Sequence, residues 1–411
     1  MVKKFFFFLF ILSIFVSCKS SEKKGEEFFY PKPYFGDELY LPNKDDNSFT
    51  ICVIPDTQKY FHQAYQKDRH KSYPMNQYEI ANRQMEWIVK NSEKNGGDIS
   101  FALMVGDIIN NHHWYRCEWE YADKAFSILD NQIPYLYVMG NHDFDNKFIS
   151  FENKYNVSGN CYFLKYFGPN SKHYKNKEIN GGFYKDGTSS WQILKAGGID
   201  FLVIGLEFEP NDDVLVWANK LIQQKSNYPV ILVTHSYLSV FNELPEGLKE
   251  INKKRKISDE KNFEINELKN LKGKAAYTNL SNHSKNTGFN SGKDIFEKLV
   301  KPNKNIFLVL CGHSFAGANG ENSRIDINDA GYPVYSFMSN YQGRNDLYKS
   351  LGFSGTPKVC GDGWLRLMTF NMKEMTLQIK TYSTEFNCFE EDSDSDFLIK
   401  FDWDWETRFN N

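Results

Sequence analysis

The chain has 411 residues, of which 41% are hydrophobic and 16% aromatic, and its formal net charge at pH 7 is -3. This length and this aromatic content predict one large domain or two ordinary ones with a sizeable core. The slightly negative charge argues against nucleic-acid binding through a broad basic surface, and we expect no specific nucleic-acid partner.

The first residues have the pattern of an export signal. Residues 1–4 (Met-Val-Lys-Lys) are basic, residues 5–16 are almost wholly apolar, and Ser17-Cys18 follows. The apolar run is too short to span a bilayer of about 30 Å as a permanent helix, and this order is typical of a secretory signal. A cysteine directly after a small residue resembles a bacterial lipoprotein signal. The alternative is a simple secretory signal with an incidental cysteine.

The lipoprotein interpretation divides the chain into three parts. Residues 1–17 would be a signal peptide, and Cys18 would be lipidated and become the mature N-terminus. Residues 18–47 would form a charged tether, and residues 48–411 would form the folded domain. We therefore expect a bacterial envelope protein, anchored to the membrane through its N-terminal lipid on the periplasmic or cell-surface side.

Three apolar runs predict buried parallel strands. Residues 49–55, 99–105 and 134–139 have strand length, and helical patterns from about residue 77 and near 118–129 separate them. The order strand, helix, strand, helix, strand predicts parallel pairing through right-handed crossovers. Polar side chains follow each strand and would gather at one edge of the sheet: Asp56 with Gln58, Asp107, and Asn141 with His142 and Asp143.

Later apolar runs repeat this arrangement. Residues 229–234 end at His235, and residues 305–311 end at Gly312 and His313. Another buried strand is predicted over residues 201–206, with a helix after it. Carboxylate, amide and imidazole groups collected at strand ends are the ligands that a pair of divalent cations requires. Neutral imidazole together with hard oxygen ligands suits manganese, iron, zinc or magnesium.

The ordered motifs resemble the calcineurin-like metallophosphoesterase superfamily, whose pattern runs Asp-x-His, Gly-Asp, Gly-Asn-His-Asp/Glu, His and Gly-His-x-His. The matching residues span about 49 to 315. The resemblance implies an α/β fold, a four-layer α-β-β-α sandwich in which two mixed sheets are flanked by helices, with a metal site at the strand ends. It also implies a hydrolase of phosphate monoesters or diesters, in which a metal-bound hydroxide attacks phosphorus in line.

The resemblance also implies roles for individual residues. The implied metal ligands are Asp56, Gln58, Asp107, Asn141, His235 and His313. Asp107 would bridge two metal ions, and Asn141 with the two histidines would hold one of them. His142 would stabilise or protonate the leaving oxygen, with Asp143 as the carboxylate that orients it.

Two positions depart from the family pattern. Gln58 stands where many members have His, and Phe315 stands at the second His of Gly-His-x-His. Both changes affect the same metal, so we expect weaker binding there and a preference shifted from zinc toward manganese, magnesium or calcium. Asn340 and Gln342 are candidates for the missing ligand. The Asp-Thr-Gln start and residues 361–366 resemble an exported bacterial branch of the superfamily.

Other segments carry weaker predictions. Residues 145–200 and 241–292 are predicted as long surface loops or lids, the first of them with short strands. Strand patterns between residues 363 and 401 predict antiparallel strands that complete the second sheet. His112 and His113, in the loop after Asp107, and Arg344 are candidate contacts for a substrate phosphate; the alternative for each is an ordinary surface residue.

A second hypothesis belongs to another class of protein. With one metal position altered, the domain would be a non-catalytic envelope binding module that retains one structural metal. His142 and Asp143 favour the enzyme, because a purely structural site does not need an imidazole beside its metal. The leading hypothesis therefore expects a phosphate-ester substrate and two divalent ions, one of them weakly bound.

Overall fold

The computed structural model describes residues 47–62, 77–110, 116–144, 161–175, 180–185, 187–243, 274–281, 288–345, 361–401 and 408–409. Cys18, the predicted signal and almost all of the tether lie outside these residues, as do His112, His113 and the inner parts of both predicted insertions. Within the described ranges, no helix is both long and apolar enough to cross a membrane.

Strands dominate the described part of the chain. They are β1 (Ser48–Ile54), β2 (Ile99–Met104), β3 (Tyr135–Tyr137), β4 (Gly181–Phe183), β5 (Ser190–Ala196), β6 (Ile199–Leu206), β7 (Val230–Thr234), β8 (Leu238–Asn242), β9 (Ala275–Tyr277), β10 (Ile306–Cys311), β11 (Glu321–Ile327), β12 (Pro333–Ser339), β13 (Trp364–Asn371), β14 (Thr376–Ser383), β15 (Cys388–Phe389) and β16 (Phe397–Lys400). The helices are α1 (Gln58–Phe61), α2 (Tyr78–Lys90), α3 (Arg116–Phe126), α4 (Tyr162–Phe167), α5 (Lys172–Lys175), α6 (Asp212–Gln224) and α7 (Gly292–Ile295), which continues as a π-helical turn over Phe296–Val300.

The strands form two seven-stranded sheets and one small ribbon. The first sheet has the order β15-β14-β13-β1-β2-β3, with β16 also paired to β14. The second has the order β11-β12-β10-β7-β6-β5-β4, and β8 pairs with β9 in the ribbon. The parallel pairing of β1 with β2 and of β2 with β3 confirms the predicted crossovers, with α2 and α3 as their helices.

Three apolar clusters separate four layers. Phe49, Ile51 and Val53 of β1 point into a cluster shared by the two sheets, whereas Cys52 and Ile54 point into a cluster shared with α2 and α3. This alternation follows from the period of two along a strand. A third cluster joins the far face of the second sheet to α6 and α7. The arrangement confirms the predicted sandwich of two mixed sheets flanked by helices.

The sheet assignments differ from the sequence prediction in two respects. The strands at residues 364–400 join the first sheet, because β13 pairs with β1 and β14 pairs with β13, rather than completing the second. The polar strand ends also come from both sheets and not from one edge: β1, β2 and β3 lie in the first sheet, β7 and β10 in the second. Local periodicity identifies a strand, but long-range packing decides its sheet.

The first predicted insertion contains helices in addition to the short strands expected there, and the second contains a strand. Within residues 145–200, helices α4 and α5 are formed, and β4 and β5 extend the second sheet through antiparallel pairing with each other and with β6. Within residues 241–292, β9 pairs with β8. The described parts of these segments therefore belong to the sandwich and its flanking ribbon, because their apolar side chains are buried against it.

Candidate metal centre

Strand ends from both sheets meet at one cluster of polar side chains. Asp107, His235 and His313 each offer a ligand atom, and these atoms lie within 4.8 Å of one another. Asn141 reaches the same point, because its Oδ1 lies 3.2 Å from Nε2 of His235. Asp56 is connected through its Oδ1, which accepts a hydrogen bond from the His313 backbone N–H at 3.3 Å. The fold thus brings together side chains that lie far apart in the chain.

The buried imidazole of His235 is oriented for coordination. Its Nδ1 donates to the Val105 carbonyl oxygen at 2.8 Å, which leaves Nε2 as the nitrogen that faces the cluster. This Nε2 lies 3.2 Å from Oδ1 of both Asp107 and Asn141. Phe208 packs against the rings of His235 and His313, with ring centroids 5.8 Å and 5.2 Å away. Phe208 carries no signal in the sequence beyond being apolar.

The electrostatics of the cluster favour a bound cation. Burial raises the pKa of Asp56 well above its usual range, with His235 opposing and Asp107 reinforcing the shift. Burial also acts on Asp107, but the attraction of His235 and His142 prevails and lowers its pKa. For His235, burial alone would lower the pKa, and the carboxylates of Asp107 and Asp56 raise it to about 9. A divalent cation would relieve the repulsion between these buried carboxylates.

The backbone is shaped around the cluster. Two of its residues, Asp107 and His313, adopt left-handed conformations with φ of 53° and 65°. Such strained conformations are concentrated at functional sites. A Cβ on Gly140 would lie 2.3 Å from Oδ1 of Asp107, and one on Gly312 would lie 2.3 Å from Oδ1 of Asp56. Only glycine allows the backbone to approach these carboxylates so closely, which explains its presence in both motifs.

A second group of polar side chains surrounds the other face of the carboxylates. Oδ2 of Asp56 accepts hydrogen bonds from Nδ2 of Asn340 at 2.9 Å and from Nε2 of Gln342 at 3.2 Å. Nε2 of Gln58 donates to Oδ2 of Asp107 at 2.8 Å. Oε1 of Gln58 is buried and accepts no hydrogen bond within the described residues. A buried oxygen in this state fits a site that binds a cation.

The histidine of the Gly-Asn-His-Asp motif lies beside the cluster and is half-buried. The backbone N–H of His142 donates to Oδ1 of Asp107 at 2.8 Å, and its ring Nδ1 donates to the carbonyl oxygen of Asn110 at 2.9 Å. The Asn110 backbone N–H donates in turn to the buried carboxylate of Glu118 at 3.0 Å. Sequence reasoning missed Asn110 and Glu118, because nothing distinguishes them from ordinary loop and helix residues.

Asp143 has contacts other than those expected for it. The family resemblance implies that it orients the ring of His142, but the Asn110 carbonyl contacts the ring Nδ1. The Asp143 carboxylate instead accepts from the backbone N–H groups of Gly140, Ile108 and Ile109 at 2.8, 3.2 and 3.1 Å. Burial, reinforced by Asp107, raises its pKa to about 7 against these hydrogen bonds. Asp143 therefore holds the loops after β2 and β3 together.

The remaining predicted residues lie elsewhere or outside the described ranges. Arg344 is buried and its Nη1 lies 2.5 Å from Oε2 of Glu390, so its guanidinium is already bound within the protein. A second carboxylate group, Glu321, Glu390 and Asp392, also has oxygens within 4.8 Å. Arg344 contacts Glu321 and Glu390, and Arg366 contacts Glu321, so the two guanidinium groups offset part of the charge of this group. His112 and His113 lie outside the described residues.

Comparison with known proteins gives a family match for most of the chain. A family model described as calcineurin-like phosphoesterase matches residues 49–316, a range that contains the polar strand-end side chains from Asp56 to His313. The uncharacterized protein YvnB of Bacillus subtilis strain 168 is 27% identical over 347 residues, which cover 83% of this chain and 20% of the relative. The chain therefore spans a fifth of the length of this relative.

Proposed function

Because the chain belongs to the calcineurin-like phosphoesterase family, we propose that it is a metal-dependent hydrolase of phosphate monoesters or diesters. The observation that carries this proposal is the convergence of Asp107, His235 and His313 within 4.8 Å. Two divalent ions, chosen among manganese, iron, magnesium and zinc, would be held by Asp56, Gln58, Asp107, Asn141, His235 and His313. Such ions polarise a phosphoryl oxygen and lower the pKa of a water molecule.

His142 is the side chain that we propose as the proton donor to the leaving group. Its ring is fixed by the Nδ1 hydrogen bond to the Asn110 carbonyl, and its backbone by the hydrogen bond to Asp107. With Nδ1 occupied, Nε2 is the atom that would deliver a proton to the leaving oxygen. The ring is only half-buried, so a substrate can reach it.

Asp143 is proposed as a positioning residue for this step. Its carboxylate joins Gly140 to Ile108 and Ile109, and these bonds hold the loop that carries His142 against the loop that carries Asp107. Effective catalysis requires reacting groups to be held within a fraction of an ångström. Asp143 would therefore act through the placement of His142 and Asp107.

The test uses purified, metal-stripped protein and chromogenic monoester and diester substrates. Manganese, magnesium, calcium, zinc or iron is added back, and hydrolysis is followed. The expected result is turnover that requires metal and is lost in Asn141→Ala. Asn219→Ala is the matched control, because this asparagine lies on α6, where it contacts Asn303. The active ester class shows which substrates to pursue.

The same measurement of hydrolysis can also contradict the proposal. The absence of turnover with every metal, in folded protein that binds one ion tightly, would contradict the two-metal hydrolase. That result would favour the non-catalytic binding module with a single structural metal.

We further propose that the chain is exported and anchored to a bacterial envelope through a lipid on Cys18. The basic and apolar order of residues 1–16, followed by Ser17 and Cys18, supports this proposal. Metabolic labelling with a clickable fatty acid should label the wild-type chain in the membrane fraction and leave Cys18→Ser unlabelled. Labelling of Cys18→Ser, or an unlabelled wild type, would contradict the anchor.

A further inference from the structure

Two carboxamide side chains lie against the carboxylates of the candidate metal centre. Asp56 and Gln58 follow β1, Asp107 follows β2, and Gln342 follows β12. All four side chains are buried, with exposed fractions of 3%, 1%, 1% and 3%. Two charged and two neutral groups therefore share one enclosed space, and each polar atom there needs a partner.

The two glutamines are linked to each other as well as to the carboxylates. Nε2 of Gln58 donates to Oε1 of Gln342 at 2.8 Å and to Oδ2 of Asp107 at 2.8 Å. Nε2 of Gln342 donates to Oδ2 of Asp56 at 3.2 Å. The amide N–H groups thus point at the carboxylate oxygens. Their partial positive charges reduce the repulsion between the two carboxylates.

One polar atom of this arrangement lacks a hydrogen bond from the described residues. Oε1 of Gln58 is buried and accepts no hydrogen bond from the described residues. A half-turn of the terminal amide exchanges its oxygen and nitrogen. The oxygen would then face Oδ2 of Asp107 and Oε1 of Gln342, and three oxygens turned toward one another require a cation among them.

We propose that Gln58 and Gln342 supply amide oxygens to the second cation, beside the carboxylates of Asp56 and Asp107. This inference rests on the proposed function and names the ligand set of its weaker metal position. Amide and carboxylate oxygens are hard ligands, which favour manganese, magnesium or calcium relative to zinc. The imidazoles of His235 and His313 belong to the other position, which keeps its preference for softer ions.

The alternative is a centre that binds a single ion. If the amide N–H groups permanently neutralise the two carboxylates, the glutamines replace the second cation and the protein binds one ion. The number of ions per chain therefore distinguishes the two cases directly, without a measurement of activity.

The experiment counts bound manganese in metal-stripped protein from the electron paramagnetic resonance signal of the free ion. We expect two ions per chain for wild type and one for Gln342→Leu, which removes the amide oxygen at similar volume. Gln342→Glu retains an oxygen and should restore the second ion. The matched control is Gln84→Leu, a buried glutamine on α2 whose Nε2 donates to the Trp364 carbonyl at 2.9 Å, and it should bind two ions.

Selectivity provides a second measurement that does not depend on Gln342→Leu being folded. In wild type, the preference for zinc over manganese should be smaller at the second position than at the first. Gln58→His should raise that preference at the second position by about tenfold or more, because imidazole is a better ligand for zinc. One manganese per wild-type chain, or two in folded Gln342→Leu with unchanged affinity, would overturn the inference.

Failure of this inference can be told apart from failure of the proposed function. Two bound ions without hydrolysis of any ester would leave the ligand set intact and contradict the hydrolase. Hydrolysis that persists with one ion, and is unchanged in Gln342→Leu, would leave the hydrolase intact and contradict the ligand set.

Discussion

Nε2 of His235 lies 3.2 Å from Oδ1 of Asn141, although the two residues follow strands of different sheets. The contact joins the end of β3 to the end of β7 across the interface between the sheets. A cation bound at this point would therefore link the two halves of the sandwich.

The first prediction concerns the effect of metal on stability. Because an ion binds the folded state, it should raise the free energy of unfolding by about 3 kcal/mol when its free concentration is 100 times Kd. Thermal unfolding with and without a chelator measures this difference. In His235→Asn the difference should become smaller, because the ion that His235 holds would be lost, and an unchanged difference in that variant would contradict the role of His235.

The second prediction concerns His142. His142→Asn should lower kcat by about 10²- to 10⁴-fold, because the proton donor is lost, while metal content and fold are retained. Metal analysis and steady-state kinetics on the same preparation provide the two readouts. His173→Gln is the control, since its ring contacts Tyr135 at 2.9 Å in the helix layer beside the first sheet. Equal kcat in wild type and His142→Asn would exclude this role.

The third prediction concerns the close approach of Gly140 to Asp107. In Gly140→Ala the added Cβ would lie 2.1 Å from the Asp107 nitrogen, so the backbone must shift. We expect a loss of about 1–3 kcal/mol in stability, together with weaker metal binding. Gly198→Ala is the control, because that glycine has φ of +76° but nothing within 4 Å of its added Cβ. It should lose some stability through backbone strain and keep its metal affinity.

The fourth prediction concerns the buried ion pair between Arg366 and Glu321. Nη1 of Arg366 lies 2.5 Å from Oε1 of Glu321, and both side chains are almost fully buried. Arg366→Leu should cost about 3–5 kcal/mol, because Glu321 loses its principal counter-charge. The double variant with Glu321→Leu should recover part of that loss. Denaturant unfolding of the single and double variants measures the coupling, and strictly additive losses would contradict it.

The fifth prediction concerns pH, measured with chelator present to exclude metal effects. Burial, against Arg344 and with repulsion from Glu321, raises the pKa of Glu390 to about 7 from its ordinary 4.5. Between these values the folded state holds a proton that the unfolded state has released. The contribution of this group to stability is therefore fully present below pH 4.5 and falls as the pH rises toward 7, by about 3 kcal/mol.

Substitution isolates the contribution of Glu390. Glu390→Gln cannot ionise, so its free energy of unfolding should decline less over the same pH range. The control is Glu374→Gln, an exposed glutamate in the turn between β13 and β14, which should leave the profile of the wild type unchanged. Parallel profiles for wild type and Glu390→Gln would contradict the assignment.

Sequence reasoning succeeded where the signal is local. The apolar runs that became β1, β2, β7 and β10 are short and nearly continuous, and such runs indicate strands buried on both faces. The helices with apolar side chains every three or four residues, such as α2 and α6, were equally readable. A polar residue after a buried strand is a local feature too, which is why Asp107 and His235 could be named.

Contacts between segments that lie far apart in the chain could not be predicted from the sequence. The membership of β13 in the first sheet depends on its pairing with β1, nearly the whole domain away. The anchoring of the His142 ring by the Asn110 carbonyl uses a backbone group, which every residue possesses. The link between Gln58 and Gln342 joins side chains 284 positions apart.

The sequence by itself therefore determined the family, the order of the strands and the chemical types of the side chains that follow them, because these depend on residue identity and spacing. Only the tertiary structure decided that the strand ends of two sheets meet, that Asp143 secures two loops, and that the amides of Gln58 and Gln342 lie together beside the carboxylates of Asp56 and Asp107. These features depend on packing and hydrogen bonding between segments whose separation along the chain leaves no periodic trace.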